Sequence, residues 1–299
     1  MNIFNRTFIF HTFNGGQLGN HLRLSHDLLI FTRLHDLNLV FFSNYLYKIF
    51  FCRRPFFYYG LIRHRPQKYL YLLNLYLNLF FFRFLLWLLY VFPFLHKYIA
   101  VFIPADDVAY FGFNVTSAST YYCLDYSFLK SLRPFSFLWG YQFFYRSPLI
   151  EEFTIHPSLA PIFRQQLRFF DCPDSLDLAC SPYIFVHLRR SHNFAVSTDS
   201  DLTDDSFIDS ILSLSSECKI FSLRISSDGS TCSTLINRLT DLGYSVSIAS
   251  SCASVNGTPF DFLVEFHHCS AVVAPPSTLS VFYSQLLSKP LKLLRYCND

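Results

Sequence analysis

Two adjacent arginines in the C-terminal half are the residues best suited to bind an anionic ligand. Arg189 and Arg190 follow His187 and Leu188 at the end of a continuous apolar run over residues 183–188. Such a run is typical of a strand buried on both faces, and open α/β sheets bind ligands at the carboxyl ends of their strands. Guanidinium groups donate parallel pairs of hydrogen bonds to phosphate oxygens. We therefore predict that this pair binds a diphosphate; the alternative is a surface pair bonded to Asp or Glu.

Hydroxyl and carboxylate side chains lie at other predicted strand and helix ends of the same half. Ser277 and Thr278 open a predicted helix, and the N–H groups and hydroxyls at a helix N-terminus suit a phosphate. Asp261 begins the preceding predicted helix, and Asp228 lies on a strand-to-helix turn. For Ser277 and for both aspartates, an ordinary cap or turn role is the alternative.

A glycine-rich turn lies near the N-terminus, between a predicted strand and a predicted helix. Gly15, Gly16 and Gly19 permit positive φ and close approach of the backbone to a ligand. Their spacing matches neither the dinucleotide-binding fingerprint nor a P-loop. A tight turn without a ligand is the alternative.

The histidines do not form a metal-binding pattern. His267, His268 and Cys269 are consecutive, so on a helix they point in different directions, and no second ligand pair is spaced to complete a site. We therefore expect no metal and no cofactor other than a donor substrate.

The order of predicted elements places these residues in an α/β fold. From residue 182 onward, predicted strands and helices alternate as βαβαβ, which is typical of a doubly wound nucleotide-binding domain. The N-terminal half begins with a strand over residues 7–13, the glycine turn and a helix, which open a second α/β layer. A chain of 299 residues suits two domains, and we place them at residues 1–150 and 151–299.

Composition and charge set the N-terminal part apart. Hydrophobic residues make up 52% of the chain and charged residues only 15%, which excludes a disordered protein. The first 105 residues are strongly basic, and no acid lies between Asp36 and Asp106. A basic, aromatic stretch over residues 37–105 favours either contact with an anionic membrane surface or a solvated basic face.

Residues 69–95 form the most apolar segment. Its length would suffice for a bilayer span, which needs roughly 20 residues, but Arg83 near its middle would cost about 2.5–3.5 kcal/mol. We predict a buried or interface-lying helix pair, inserted around residues 67–97 and ended by Pro93. Peripheral membrane attachment is the next alternative, and a true span is the weakest. Because no leader pattern is present, we expect a cytoplasmic protein.

Five segments resemble, in order, motifs of the α1,2-fucosyltransferase family and its wider fucosyltransferase relatives. They are residues 14–20 (NGGQLGN), 138–142 (LWGYQ), 186–190 (VHLRR), 221–228 and 261–282. The resemblance implies a GT-B fold, with two Rossmann-like domains facing a cleft. It also implies an inverting, metal-independent transfer of fucose from GDP-fucose to a glycan hydroxyl. The implied partners are a nucleotide-sugar donor, bound by residues 151–299, and a glycan acceptor, which is lipid-linked in one hypothesis. Nucleic acid is not among them.

The resemblance also implies residue roles. Arg189 and Arg190 would hold the donor diphosphate, so that Arg190 also counts as catalytic. The remaining matched positions would contact the guanine (His187 and Asp261), bind phosphate (Ser277 and Thr278), lie beside the donor (Asp228) or line the cleft from the acceptor side (Gly16 and Asn20).

One position departs from the family pattern. The family continues its His-x-Arg-Arg motif with Gly-Asp, whereas this chain continues with Ser191, His192 and Asn193. His192 becomes the candidate general base, because a near-neutral imidazole suits that role. The other candidates are Asp199, Asp201, His21 and Asp27. The missing acid leaves two alternatives: a GT-B enzyme with another nucleotide sugar, and a non-catalytic protein that binds a nucleotide or glycan.

Overall fold

The predicted alternation of strands and helices forms two α/β units. The computed structural model divides into Met1–His156 and Pro157–Asp299, a few residues beyond the boundary that the sequence predicts. The structure describes residues 7–13, 18–43, 47–51, 54–59, 68–111, 119, 121–140, 142–147, 149, 152–167, 182–188, 204–227, 233–249, 265–275 and 277–294.

The first unit begins with the strand, turn and helix that the sequence predicts. Its strands are β1 (Phe8–Phe13), β2 (Asn38–Ser43), β3 (Tyr47–Phe51), β4 (Arg54–Tyr59), β5 (Ile99–Phe102), β6 (Tyr122–Cys123), β7 (Phe135–Trp139) and β8 (Phe143–Phe144). Its helices are α1 (Leu18–Leu34), α2 (Lys68–Val91) and α3 (Tyr126–Ser131), with 3-10 helices at Pro93–Lys97 and Ala105–Tyr110.

The main sheet of this unit is parallel at its centre and antiparallel at one edge. Its strand order is β4-β3-β2-β1-β7-β5. β1 pairs in parallel with β2 and with β7, and β7 pairs in parallel with β5. The β3–β4 hairpin, which the sequence analysis does not predict, adds two antiparallel strands at the edge.

The second unit has the predicted doubly wound pattern. Its strands are β9 (Ile184–Leu188), β10 (Ser222–Ser227), β11 (Ser245–Ile248), β12 (Ala271–Ala274) and β13 (Leu291–Leu293). Its helices are α4 (Ala160–Leu167), α5 (Asp204–Cys218), α6 (Ser233–Asp241), a helical turn α7 at residues 265–268, and α8 (Thr278–Leu287). The strand order is β11-β10-β9-β12-β13, and every pairing in that order is parallel. The predicted fold class, α/β with two Rossmann-like units, is thereby confirmed.

Local sequence signals explain where two helices of this unit begin and end. Asp204 and Asp205 lie in the first turn of α5, where negative charge is favourable beside the helix N-terminus. Gly243 follows α6 with φ +88°, the left-handed conformation with which many helices end.

Alternate side chains of β9 point to opposite faces of this sheet, and both sets are buried. Ile184, Val186 and Leu188 are buried in one core with side chains of α5 and α6. Phe185 points to the opposite face and lies 5.4 Å, ring centre to ring centre, from Phe266 of α7. A strand with both sets of side chains buried reads as a continuous apolar run, which is how the sequence predicts it.

The apolar segment of the first unit is one helix and not the predicted pair. No proline or glycine lies within α2, so nothing interrupts its hydrogen bonds until Pro93, which cannot donate one. Its buried face packs within the first unit: the Phe82 ring is 5.1 Å from that of Trp139 on β7 and 6.1 Å from that of Phe111, which follows the second 3-10 helix. Among the described residues, no helix combines the length and apolar character needed to cross a membrane.

Two phenylalanines of α2 test which side of the helix stabilises the unit. Phe82 is fully buried, whereas Phe84, two residues on, is 45% exposed. We expect Phe82→Ala to lower the free energy of unfolding by about 3–5 kcal/mol because it leaves a cavity. The matched variant Phe84→Ala should change it by about 0.5 kcal/mol or less. Urea unfolding of both variants measures the difference, and equal losses would contradict this packing.

Candidate functional site

In the sheet of the second unit, the order in which the strands are added reverses beside β9. From β9 the chain passes through α5 to β10 and then β11 on one side, whereas β12 and β13 lie on the other side. β9 and β12 are parallel neighbours, with Val186 opposite Val273. Ligands of open α/β sheets bind at the carboxyl ends of such a pair, because the connecting helices diverge there. The carboxyl ends of β9 and β12 therefore define the candidate donor site.

Two of the predicted donor-site residues lie at the end of β9 in sequence. His187 is half-buried near the end of β9, opposite Ser226 of β10. Arg189 directly follows Leu188, the last residue of β9. Several predicted positions lie outside the described residues: Arg189, Arg190, His192, Asp228, Asp261 and Gly16, and the alternative bases Asp199 and Asp201.

The other strand of the pair leads into the predicted helix N-terminus. Ser277 is the N-cap of α8: its Oγ accepts a hydrogen bond from the Ser280 N–H at 3.1 Å and donates one to the Ser280 Oγ at 2.9 Å. Thr278 is the first residue of α8 and is half-buried. The capping role, which the sequence leaves as the alternative, is therefore present. The first-turn N–H groups of this ten-residue helix follow β12 at the same sheet edge.

The first unit has its own reversal of strand order, between β1 and β7. The predicted glycine turn lies after β1, but residues 14–17 are outside the described part of the chain. Asn20 lies in the first turn of α1 and is half-buried. After β7 comes Gly140, within the second resembling segment. In the sequence, the predicted glycine turn follows β1, and Gly140 follows its neighbour β7.

A buried histidine fixes the loop that follows β7. His11 of β1 is fully buried, and its Nε2 lies 2.6 Å from the Gly140 carbonyl oxygen. Because a carbonyl only accepts, Nε2 carries the proton. Burial lowers the pKa of His11 to about 4, although the Gly140 carbonyl opposes this shift. His11 is thus neutral near pH 7 and joins the ends of the two central strands.

A network of polar contacts around Arg23, His26 and Asp27 is buried along α1. The Asp27 carboxylate accepts hydrogen bonds from the His26 Nδ1 at 2.9 Å and from the Tyr145 N–H at 3.1 Å. The His156 N–H donates to the His26 Nε2 at 2.8 Å, so the proton of neutral His26 is on Nδ1. Arg23 lies 4.0 Å from Asp27 and donates to the Ser147 carbonyl.

This network gives Asp27 a structural role. The carboxylate is 2% exposed and accepts hydrogen bonds within its own unit, which leaves it poorly placed to take a proton from a sugar hydroxyl. From the sequence, Asp27 is a candidate base, whereas Arg23 does not stand out. The four-residue spacing of Arg23 and Asp27 on a helix was the available signal, but the spacing alone equally suits a surface pair.

A second buried network lies in the second unit, near the amino end of β9. The Tyr183 hydroxyl donates to the Glu265 Oε2 at 3.0 Å, and the Arg224 Nε lies 3.1 Å from the Glu265 Oε1. Burial raises the pKa of Tyr183, and the adjacent Glu265 carboxylate raises it further. Burial also raises the pKa of Glu265, against the attraction of Arg224. Because Tyr183 precedes β9, this network is a structural feature at the edge opposite the candidate donor site.

Within the described residues, no group of three His, Cys, Asp or Glu side chains is arranged to hold a metal ion. His267 and His268 are exposed, and their rings stack with centres 5.2 Å apart.

Comparisons with known proteins give structural matches only. No protein-family model and no curated protein sequence matches the chain. One solved structure of POFUT1 in complex with GDP matches 97% of this chain and 98% of its own, at 12% identity and a TM-score of 0.48. One structure of POFUT1 in complex with GDP-fucose matches 96% of this chain and 98% of its own, at 10% identity and a TM-score of 0.48. A likeness at this level assigns no function to this chain, and the α1,2 family resemblance stays a prediction.

The buried state of His11 predicts how stability depends on pH. The unfolded chain binds a proton at His11 below about pH 6.5, whereas the folded chain excludes it down to about pH 4. Stability contributed by neutral His11 is therefore complete above pH 6.5 and is lost as the pH falls toward 4, by up to about 3 kcal/mol. We expect His11→Gln, which keeps a donor for the Gly140 carbonyl, to show a flatter pH dependence. Urea unfolding between pH 7 and pH 4 measures it, and parallel curves would refute the assignment.

Gly140 and Gly243 form a matched pair for testing the loop after β7. Both have positive φ, +90° and +88°. A Cβ on Gly140 would lie 2.9 Å from the Asp107 Oδ2 and 3.2 Å from the Pro104 Cγ, whereas a Cβ on Gly243 would meet nothing within 4 Å. Both alanine variants should lose about 1–2 kcal/mol from backbone strain, and Gly140→Ala should lose roughly 1–3 kcal/mol more from the close contacts. Equal losses in thermal unfolding would contradict the close approach.

Proposed function

We propose that this chain is a glycosyltransferase that binds the diphosphate of a nucleotide sugar at the carboxyl ends of β9 and β12. The observation that carries the proposal is the strand order of the second unit. It makes β9, which leads directly into Arg189 and Arg190, the parallel neighbour of β12, which leads into the N-terminus of α8. Two anion-binding features thus follow adjacent strand ends at the position where α/β sheets bind nucleotides.

The proposed chemistry depends on stabilising the departing nucleoside diphosphate. Negative charge grows on the phosphate oxygens as the bond to the sugar breaks. Arg189 and Arg190 would donate charge-assisted hydrogen bonds to these oxygens, and the first turn of α8, from Thr278, would add N–H groups and the positive end of its dipole. Donors fixed before the reaction can lower the barrier without a cation. We therefore propose a metal-independent reaction in which Arg190 is catalytic.

We propose GDP-fucose as the donor, from the order of the five segments that resemble fucosyltransferase motifs. In this proposal His187 and Asp261 contact the guanine. The Watson–Crick edge of guanine offers adjacent N–H donors, which a carboxylate such as Asp261 can accept. Asp228 follows β10, the other neighbour of β9, and is placed beside the donor for that reason.

The acceptor is proposed to be a glycan hydroxyl, whose oxygen attacks the anomeric carbon of the donor sugar with inversion while the bond from that carbon to the diphosphate oxygen breaks. Gly16 follows β1 in the sequence and Asn20 lies in the first turn of α1, and we assign both to the acceptor side. His192 is the proposed general base, with Asp199, Asp201 and His21 as the other candidates. Asp27 is no longer one of them, because both of its oxygens serve the buried network.

A second candidate function follows from the missing acid after Arg190. A protein that retains the arginine pair but lacks a competent base would bind nucleotide or glycan without turnover. A donor other than GDP-fucose is the remaining alternative within the same fold.

Calorimetric titration of the full chain with GDP, UDP and CMP tests the donor site. We expect selective binding of GDP, with and without EDTA, and a loss of about 1.5–3 kcal/mol in Arg190→Ala, the cost of removing a charge-assisted hydrogen bond. Arg238→Ala is the matched control, because Arg238 is exposed and pairs with Asp205 on the surface; its affinity for GDP should be unchanged.

Two further outcomes separate the candidates. If GDP binds but GDP-fucose is neither transferred nor hydrolysed, the non-catalytic protein is the better account. If UDP or CMP binds more tightly than GDP, the donor is another nucleotide sugar. Absence of nucleotide binding, or an unchanged affinity in Arg190→Ala, would reject the proposed site.

A further inference from the structure

The helix α2 is apolar on the side that faces away from its own unit. Phe82, Leu85 and Leu89 form the inner face, at spacings of three and four residues, and are at most 6% exposed. The polar Asn78 lies on this inner side and is half-buried. The outer residues are large, mostly aromatic and exposed: Tyr76, Leu77, Phe80, Phe81, Phe84, Trp87, Tyr90 and Val91.

The outer face exposes more apolar surface than single apolar residues scattered over a protein surface do. Phe80 is 70% exposed and Tyr90 is 79% exposed. Exposed apolar residues continue past the end of the helix at Phe92, Phe94 and Tyr98. A contiguous apolar surface of this kind on a folded protein marks a site of contact with another surface. We refer to the exposed residues of α2, together with Phe92, Phe94 and Tyr98, as the aromatic face.

The composition of the aromatic face favours a membrane interface over a protein groove. Tyr76, Trp87 and Tyr90 have rings with both an apolar body and a polar group, which are enriched where hydrocarbon meets headgroups. Arg83 lies on the exposed side of the same helix, and its long side chain can extend to the headgroups while its stem stays in the apolar layer. The helix is too poor in polar residues on its outer side to be a solvated surface helix.

Charge complementarity identifies which lipid surface this would be. The exposed charged side chains of residues 76–98 are Arg83 and Lys97, both positive. No acid lies anywhere in the sequence between Asp36 and Asp106, whereas eight Lys or Arg do. Basic residues near an anionic leaflet each strengthen binding by about fivefold. A second copy of this chain would bring two positive surfaces together.

We propose that the aromatic face of α2 lies in the interface of an anionic membrane, with the helix parallel to the bilayer plane. The inner face stays packed on the sheet of the first unit, so that binding requires no unfolding of the helix. The apolar outer side chains enter the boundary between headgroups and acyl chains, and Arg83 and Lys97 contact anionic headgroups. This inference stands on the first unit alone and does not depend on the proposed sugar transfer.

Tryptophan fluorescence with vesicles tests the proposal directly. The chain has two tryptophans; Trp87 is 46% exposed, whereas Trp139 is 6% exposed. Vesicles of phosphatidylcholine with added phosphatidylserine should shift the emission to the blue, and bromine-labelled acyl chains should quench it. Trp87→Phe should abolish the spectral change yet still float with the vesicles, because the apolar surface is kept.

A double variant and its control measure the contribution of the aromatic face. Phe80→Ser with Trp87→Ser should weaken partitioning to anionic vesicles by about tenfold or more, with an unchanged midpoint of thermal unfolding. Leu212→Ser with Phe221→Ser removes two exposed apolar side chains from the second unit, at 41% and 61% exposure, and should bind as the wild type does. Arg83→Gln with Lys97→Gln should remove most of the preference for anionic over neutral vesicles, as should high salt.

Three outcomes would overturn the proposal. One is no flotation of the full chain with anionic vesicles. Another is equal binding to neutral and anionic vesicles at every salt concentration. The third is concentration-dependent self-association, measured without lipid by analytical ultracentrifugation, that Phe80→Ser with Trp87→Ser abolishes; the aromatic face would then be an interface between copies of this chain.

Discussion

The parallel pairing of β9 with neighbours on both sides is the constraint on which the candidate site depends. β9 exchanges hydrogen bonds with β10, to which it is connected through α5, and with β12, which lies on its other side in the sheet. Right-handed crossovers that leave a strand in opposite directions place their helices on opposite faces of the sheet. Ligands of open α/β sheets bind in the crevice that this divergence leaves at the carboxyl ends of the strands. In the sequence, Arg189 and Arg190 directly follow Leu188, the last residue of β9, so their assignment to this edge of the sheet is a prediction.

In each unit, one buried network of charged and titratable side chains is held by internal partners, and these contacts indicate a structural role. In the first unit, Asp27 accepts from His26 and from a backbone N–H, and His11 is held neutral against a carbonyl. In the second, Glu265 lies between Tyr183 and Arg224. An unpaired buried charge would cost several kcal/mol, so such groups are retained only with partners. The titratable residues of these networks hold segments of the backbone in place. The proposed binding and catalytic roles are therefore assigned to residues at the strand ends.

The helix α2 resolves a conflict within the sequence. Its apolar character suits burial, and Arg83 opposes a span. In the structure only a narrow inner face, formed by Phe82, Leu85 and Leu89, is buried, while the wider outer side is exposed. A helix that is apolar on all sides can bury only one face against the sheet of its own unit, so its other face needs a second surface. In our proposal, a membrane interface provides that second surface, because it accommodates both aromatic rings and the long side chain of an arginine.

How much could be predicted from the sequence differs between the two halves, for a physical reason. In the second unit, local signals are enough: the apolar run of β9, the acids that begin α5 and the glycine that ends α6 each act through near neighbours, so strands and helices are placed within a few residues. The position of the candidate donor site can also be predicted from the sequence, because the arginine motif directly follows the end of a predicted strand. In the first unit, the β3–β4 hairpin and the short strands β6 and β8 escape prediction, since aromatic residues occur in every kind of element there and alternation gives no clear period.

The sequence by itself determined the α/β class, the strand that leads into the arginine pair and the absence of acids around α2, because each of these is a property of residues close together along the chain. Only the tertiary structure decided that β12 lies beside β9, that Asp27 is enclosed with His26 and Arg23, and which side of α2 is exposed. These depend on contacts between residues far apart in sequence, such as His26 with His156 and His11 with Gly140. Such contacts form only when the whole unit packs, and no local pattern records them.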